Sequence, residues 1–463
     1  MGELNIMRVS TTIALITNDA IGEKMAGPGI RYWEFARVLS ETFPVKLIVP
    51  PYVRMDAPLV GQPGRAEVYV CKDTDTLSAQ IADCDVVITL GIVLAFYPFL
   101  THLDKILVVD IYDPFLLAGL QREANADLLR QMHAYEKYQE ALEVQLRIGD
   151  FFLCASERQR DYWLGMLSAV GRINPHTYAQ DPTFEKLITV VPFGLPREQP
   201  QHLQPVLKGV HQSIAPDDKV LLWGGGVWDW LDAPTLVRAM PLVLAQREDV
   251  KVFFMGTRRP NASSAQTSAV DDLVTLSRDL GLYDRFVFFN DWVTYEARQN
   301  YLLEADVGIS LHLSHAETRF AFRTRLLDYL WAGLPMVCTV GDVLGESLAA
   351  QGVASLVAPG DVEGLAQTLL SLLSTPDLRA RHKAYFETLA RQYHWDVVSR
   401  PLVEFCAEPY FAADRVNGER RFLLSDARKT KPWWGKVQQA VRAGGPRELW
   451  RQVRAYLQWK RQQ

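Results

Sequence analysis

A chain of 463 residues, 48% hydrophobic and 22% charged with a net charge of -5, is too long for one ordinary core and points to two or three globular domains. It contains no run of about 18 apolar residues, which excludes a spanning helix, and it has no repeats or low-complexity tracts. The opening MGELNIMRVSTTIALITND has no basic segment followed by an apolar run and a small-residue cleavage site, so a cytoplasmic protein is expected.

In chain order, strand-like runs alternate with helical ones, the pattern of parallel sheets covered by helices. TTIALIT (11–17) leads through AGPGIR (26–31) into a helix. DVVITLG (85–91), KILVVDIY (105–112), FFLCA (151–155) and LITVV (187–191) follow, and Ser156 with Gln159 has capping-box spacing. Four prolines within 192–205 read as a linker. The alternation resumes with KVLLW (219–223), VKVFFMG (250–256), RFVFF (285–289), DVGIS (306–310) and PMVCTV (335–340). Helices are expected from about Asp232, near 271–280, near 294–304, around 325–333 and twice after PGD (359–361). The expected fold class is α/β: two doubly wound, Rossmann-like parallel-sheet domains, 1–205 and 206–395, face across a cleft that takes ligands at the strands' carboxyl ends. Residues 396–411 are expected to return as a helix to the first domain, and 412–463 to form a basic amphipathic tail.

Several motifs should face that cleft. Gly27 and Gly29 in AGPGIR allow close backbone approach at a helix start that favours anions, with Arg31 adding charge; a tight turn is the competing explanation. LLWGGGVWDW (221–230) repeats the arrangement with Gly225 and Gly226, and FFMGTRRPN (253–261) places Arg258 and Arg259 on the rim. HAETRFAFRTRLLDYLWAGLP (315–335) is the strongest signal. Thr324 is placed to cap a helix whose first turn carries Arg325, with Arg323 just before it and Gly333 and Pro335 at its end. Asp328 lies at i+3 from Arg325, and an internal ion pair would account for Arg325 but not for Arg323. Guanidinium groups suit phosphate oxygens, and a carboxylate beside them can accept from two sugar hydroxyls, so the set points to a nucleotide.

The five cysteines lack C-x-x-C spacing and read as buried thiols. The triplets at 73–75 and 83–85 arise readily among 54 acidic residues, and no metal site is expected. From Ala412 onward the tail carries 13 Lys and Arg against four Asp and Glu. Over 431–460 it reads as two short helices with tryptophan-containing apolar stripes and basic opposite faces. Such a segment suits either the inner surface of an anionic membrane or the protein's own acidic body; no motif supports nucleic acid.

The segment 315–335 resembles the nucleotide-sugar site of GT-B glycosyltransferases, especially the retaining family 4 type, in which a basic and an acidic residue precede A-x-G-x-P-V. GPGIRYWEFARVL, SERQRDYWLGML, VVPFGLP, WGGGVWDWLDAPTLVRAM and FFMGTRRPN stand in the family's order. The resemblance implies that Arg325 neutralises donor phosphate, that Asp328 holds the ribose, and that Gly27, Gly29, Gly225, Gly226, Arg258, Arg323 and Thr324 line the donor site. The chain departs from the family's acidic pair, with Phe320 at the first position and Glu317 three residues away as the substitute. It also lacks the usual Arg and Lys after the second glycine loop, and the family's histidine, where Tyr112 and Asp113 stand instead. Asp113, Arg325 and Glu317 are the catalytic candidates. The implied activity is metal-independent transfer of a sugar, with retention, from a nucleoside diphosphate sugar to a glycan or lipid-linked acceptor in surface polysaccharide or glycolipid assembly, without a cofactor. The alternatives are an epimerase of the same fold and a non-catalytic scaffold at a membrane; a dinucleotide oxidoreductase would need a fuller glycine fingerprint.

Overall fold

The computed structural model describes residues 11–55, 61–258 and 268–415. Arg259 and the amphipathic stretch 431–460 lie outside the described residues. Seven strands form the first sheet: β1 (Ile13–Ile16), β2 (Val45–Val49), β3 (Glu67–Val70), β4 (Val86–Leu90), β5 (Ile106–Asp110), β6 (Phe151–Cys154) and β7 (Ile188–Val190). The second comprises β8 (Lys219–Gly226), β9 (Val250–Gly256), β10 (Val287–Phe289), β11 (Val307–Ser310), β12 (Met336–Thr339) and β13 (Ala354–Val357). Their orders are β3-β2-β1-β4-β5-β6-β7 and β10-β9-β8-β11-β12-β13, with every strand pairing parallel. In each sheet the winding reverses beside the first strand, between β1 and β4 and between β8 and β11, which opens the crevice where such sheets take ligands.

Strands β1, β4, β5 and β6 are buried along their whole length, so they read as continuous apolar runs. Strands β2, β3 and β13 were not expected. β3 and β13 are edge strands with half-exposed side chains and carry no such run, and VKLIV of β2 sits between Pro44 and Pro50. Side-chain caps start the helices: Ser156 accepts from the Gln159 N–H ahead of the helix Glu157–Ala169, although the Gln159 side chain turns to the Ala155 N–H and leaves the expected capping box half made, and Asp232 accepts from the Thr235 N–H ahead of Ala233–Leu244. All five cysteines are buried and free. No helix among the described residues is long and apolar enough to cross a membrane.

Two crossings of the chain join the lobes and pair with each other. Leu195 and His394 form a parallel bridge, with the Leu195 N–H donating to Tyr393 at 2.7 Å and the Trp395 N–H to Leu195 at 2.9 Å. After the second crossing, Trp395 packs edge-on against Phe35 at 5.9 Å, and Phe405 stacks on Phe151 at 4.2 Å, so residues 395–407 lie on the first lobe. Arg31 secures the same region. It is fully buried, bonds Asp110 at 2.7 and 3.1 Å, donates to the carbonyls of Val191 and Pro192, and lies between the rings of Phe35 and Tyr112. The expectation that Arg31 lends charge to a ligand is thereby corrected, because its charge is met by Asp110 inside the lobe.

Candidate functional site

A solvent-open cavity lies where the carboxyl ends of β8 and β9 meet the turn before the helix Gly27–Leu39. Its wall on the β8 side is the glycine run. The register between β8 and β9 shifts between Trp223 and Gly226, and Gly225 has φ of 78° with open space around it, a conformation that side chains resist. The run is held from beneath by Tyr329. Its hydroxyl accepts from the Gly224 N–H at 2.7 Å and lies 2.8 Å from the Ile309 carbonyl, to which it donates. The ring passes so close to β11 that a Cβ on Gly308 would sit 2.6 Å from it.

The polar lining combines Thr324, Arg325, Asp328 and Arg298. Asp328 does not pair with Arg325 as its i+3 spacing allowed. It takes Arg298 Nε at 3.1 Å, and its second oxygen has no partner among the described residues. Arg298 lies over the rings of Tyr295 at 3.7 Å and Trp331 at 4.7 Å, which fixes the carboxylate from behind.

Arg325 is left without a carboxylate among the described residues. Its Nη2 donates to the Gly226 carbonyl at 2.9 Å, its plane lies 4.7 Å over Trp223, and buried Nη1 has no partner. Burial pushes its pKa down to about 10. An under-compensated cation beside a half-exposed carboxylate with a free oxygen has the chemistry to receive an anion joined to a hydroxylated group.

The structure thus brings Gly27, Gly225, Gly226, Thr324, Arg325 and Asp328 to one cavity. Thr324 occupies the cap position, but its hydroxyl makes no capping bond. The other candidates lie outside the lining. Gly29 answers to packing, since a Cβ there would meet the Ala20 carbonyl oxygen at 2.2 Å. Arg258 is exposed and 3.5 Å from Asp291. Asp113 is exposed just beyond β5. Arg323 and Glu317, expected at the donor and the sugar, instead take each other in a buried two-bond pair at 2.9 and 2.6 Å. Sequence reasoning missed Arg298 and the indoles of Trp228 and Trp292 in the lining, and Tyr329 behind it. The aromatic WDW after the glycines was the available signal for Trp228; nothing local marked Arg298.

Beside the Glu317–Arg323 pair, buried Asp342 caps the helix Val343–Ala350 through one oxygen, while its other oxygen has no partner. Burial raises its pKa to about 6, partly offset by Arg323. An unfolded chain ionises first as pH climbs from about 4, so this group lowers stability through the window up to about 6 and keeps it lowered above. Asp342→Asn retains the capping oxygen and removes the titration. It is expected to stabilise the protein at pH 8 by on the order of 2 kcal/mol, the gain fading below pH 4. Urea unfolding at the two pH values checks this; a gain independent of pH would refute it.

Among the described residues no group of three or more His, Cys, Asp or Glu could hold a metal. Residues 218–375 match the family model Glycosyl transferases group 1. A phosphatidyl-myo-inositol mannosyltransferase of Mycolicibacterium smegmatis is 26% identical over 168 residues, 36% of this chain and 39% of that protein. The match therefore spans about two fifths of the curated relative's length. Among solved structures, sucrose-phosphate synthase from Thermosynechococcus elongatus superposes with a TM-score of 0.62 at 14% identity, covering 85% of this chain and 98% of that one. HepE of Anabaena in complex with UDP-glucose gives 0.59 at 14% identity over 85% and 98%. Likeness at these identities shows the fold.

Proposed function

We propose, on the premise that residues 218–375 are a glycosyl transferases group 1 domain within a GT-B fold, that the protein transfers a sugar from a nucleoside diphosphate sugar to a glycan or lipid-linked acceptor in surface polysaccharide or glycolipid assembly. The observation that carries the reading is Arg325, a desolvated guanidinium with no carboxylate among the described residues, in the same cavity as the half-free carboxylate of Asp328. In this reading the diphosphate lies against Arg325 and the Gly225–Gly226 backbone, and the ribose hydroxyls donate to Asp328. Cleavage of the bond between the anomeric carbon and the diphosphate leaves negative charge on the leaving oxygen. A pre-placed guanidinium stabilises that charge without needing a metal. The acceptor oxygen bonds to the anomeric carbon while its proton passes to the departing phosphate, which gives retention when attack is on the leaving-group face. Asp113, exposed at the end of the first lobe's β5, is offered as an acceptor contact. The basic segment 431–460 is offered as a holdfast on the inner face of a membrane, on the strength of its charge.

A thermal-shift panel of UDP-, GDP-, ADP- and dTDP-sugars tests the reading. One or more should raise the melting temperature, with turnover to an acceptor and an axial or equatorial anomeric proton signal reporting retention or inversion. A panel in which none of them stabilises the protein would sink it.

A further inference from the structure

We propose that Gln159 is a positioning residue: its carboxamide clasps the second lobe's helix Ala316–Phe320 to the first lobe, and the Glu317–Arg323 pair carries that constraint to Arg325. Gln159 is completely buried on the helix Glu157–Ala169. Its nitrogen donates to the Tyr112 carbonyl of the first lobe at 2.7 Å and to the Phe320 carbonyl of the second at 2.6 Å, while its oxygen accepts from the Ala155 N–H at 2.8 Å. One NH₂ group is thus spent on both lobes at once. A carboxylate in its place would face two carbonyl oxygens, and a hydrocarbon would strand both in a dry site.

The neighbours on the same helix grip the same element. The Tyr162 ring packs on Phe320 at 4.6 Å and Arg158 donates to the Arg319 carbonyl at 3.4 Å; beyond that helix Arg158 also reaches Glu346 at 3.0 Å and the Gly341 carbonyl at 3.2 Å. The element held in this way carries Glu317, whose two oxygens take the guanidinium of Arg323, two residues ahead of Arg325. Asp328, by contrast, is fixed from another direction by Arg298. Loosening the clasp should therefore weaken the hold on a diphosphate and spare the hold on a nucleoside. That last link rests on the donor reading of the cavity; the clasp itself does not.

The test uses the full chain and Gln159→Glu, with Arg158→Ala as a milder variant at a partly exposed position. Solution X-ray scattering without ligand reads the clasp, and calorimetry with UDP and with uridine reads its consequence. Gln159→Glu should give a larger radius of gyration than wild type. The ratio of UDP to uridine affinity should fall about tenfold, equivalent to about 1.4 kcal/mol, with uridine affinity held within about twofold. Arg158→Ala should move both readouts in the same direction by less. Unchanged scattering in both variants overturns the clasp, and an equal fall in UDP and uridine affinity overturns its transmission to Arg325. If wild type binds no UDP, a uridine donor is refuted while scattering still decides the clasp.

Discussion

Arg325→Ala will lower kcat by about 10²- to 10³-fold and leave the melting temperature unchanged or raised. The two halves of this expectation come from the same geometry. The guanidinium stands over Trp223 with one carbonyl partner and an orphaned Nη1, and burial has already pushed its pKa down. A cation held so is a cost to the folded protein until an anion arrives, the usual trade of stability for function at a binding site. Its removal takes away the charge that a leaving diphosphate needs while relieving the apo protein. Initial rates at saturating donor, nucleoside diphosphate affinity and a melting curve check the three parts together. Arg325→Lys should recover part of the rate, since it restores charge without the planar fork. Retained turnover in Arg325→Ala would remove the main support for the proposed donor site.

Asp110→Ala is expected to have the opposite character, destabilising the protein by about 3–5 kcal/mol, because it leaves Arg31 buried without a counter-charge. Both side chains are fully buried, and the two carbonyl bonds to Val191 and Pro192 cannot neutralise a guanidinium. Urea unfolding measures the loss. The double change Arg31→Met with Asp110→Leu should recover much of it, since it removes both charges and retains volume. A loss below about 1 kcal/mol for Asp110→Ala would mean that water reaches the pair.

These two arginines show what could be read from the chain alone and what could not. The strand runs at 11–17, 85–91, 105–112 and 151–155 hold β1, β4, β5 and β6, because strands covered on both faces are apolar throughout. Arg325 and Asp328 were legible as a pair of opposite charges at a short helix in an apolar stretch. Their partners were not. Arg31 follows a glycine-rich stretch that looks built for an anion, yet its partner lies 79 residues away on β5. Arg323 and Arg325 are two positions apart and meet opposite fates, since the path of the preceding helix delivers Glu317 to one and nothing to the other. Asp328 had a neighbour at favourable helical spacing and took Arg298 instead, 30 residues earlier. Spacing along a helix offers a pairing worth a few tenths of a kcal/mol, which a buried, ring-flanked guanidinium easily outweighs.

The hydroxyl of Tyr329 has a wider implication for altering what the cavity accepts. It fastens the bend of β8 to the very helix that presents Arg325 and Asp328, and Gly308 keeps the path between them clear. The turn at residues 222–226 is consequently tied to Tyr329 at the far end of 325–329, and a graft that swaps either segment from a relative without its mate would strand the Gly224 amide. Successful chimeras should be those that exchange the two segments, with position 308, as a set.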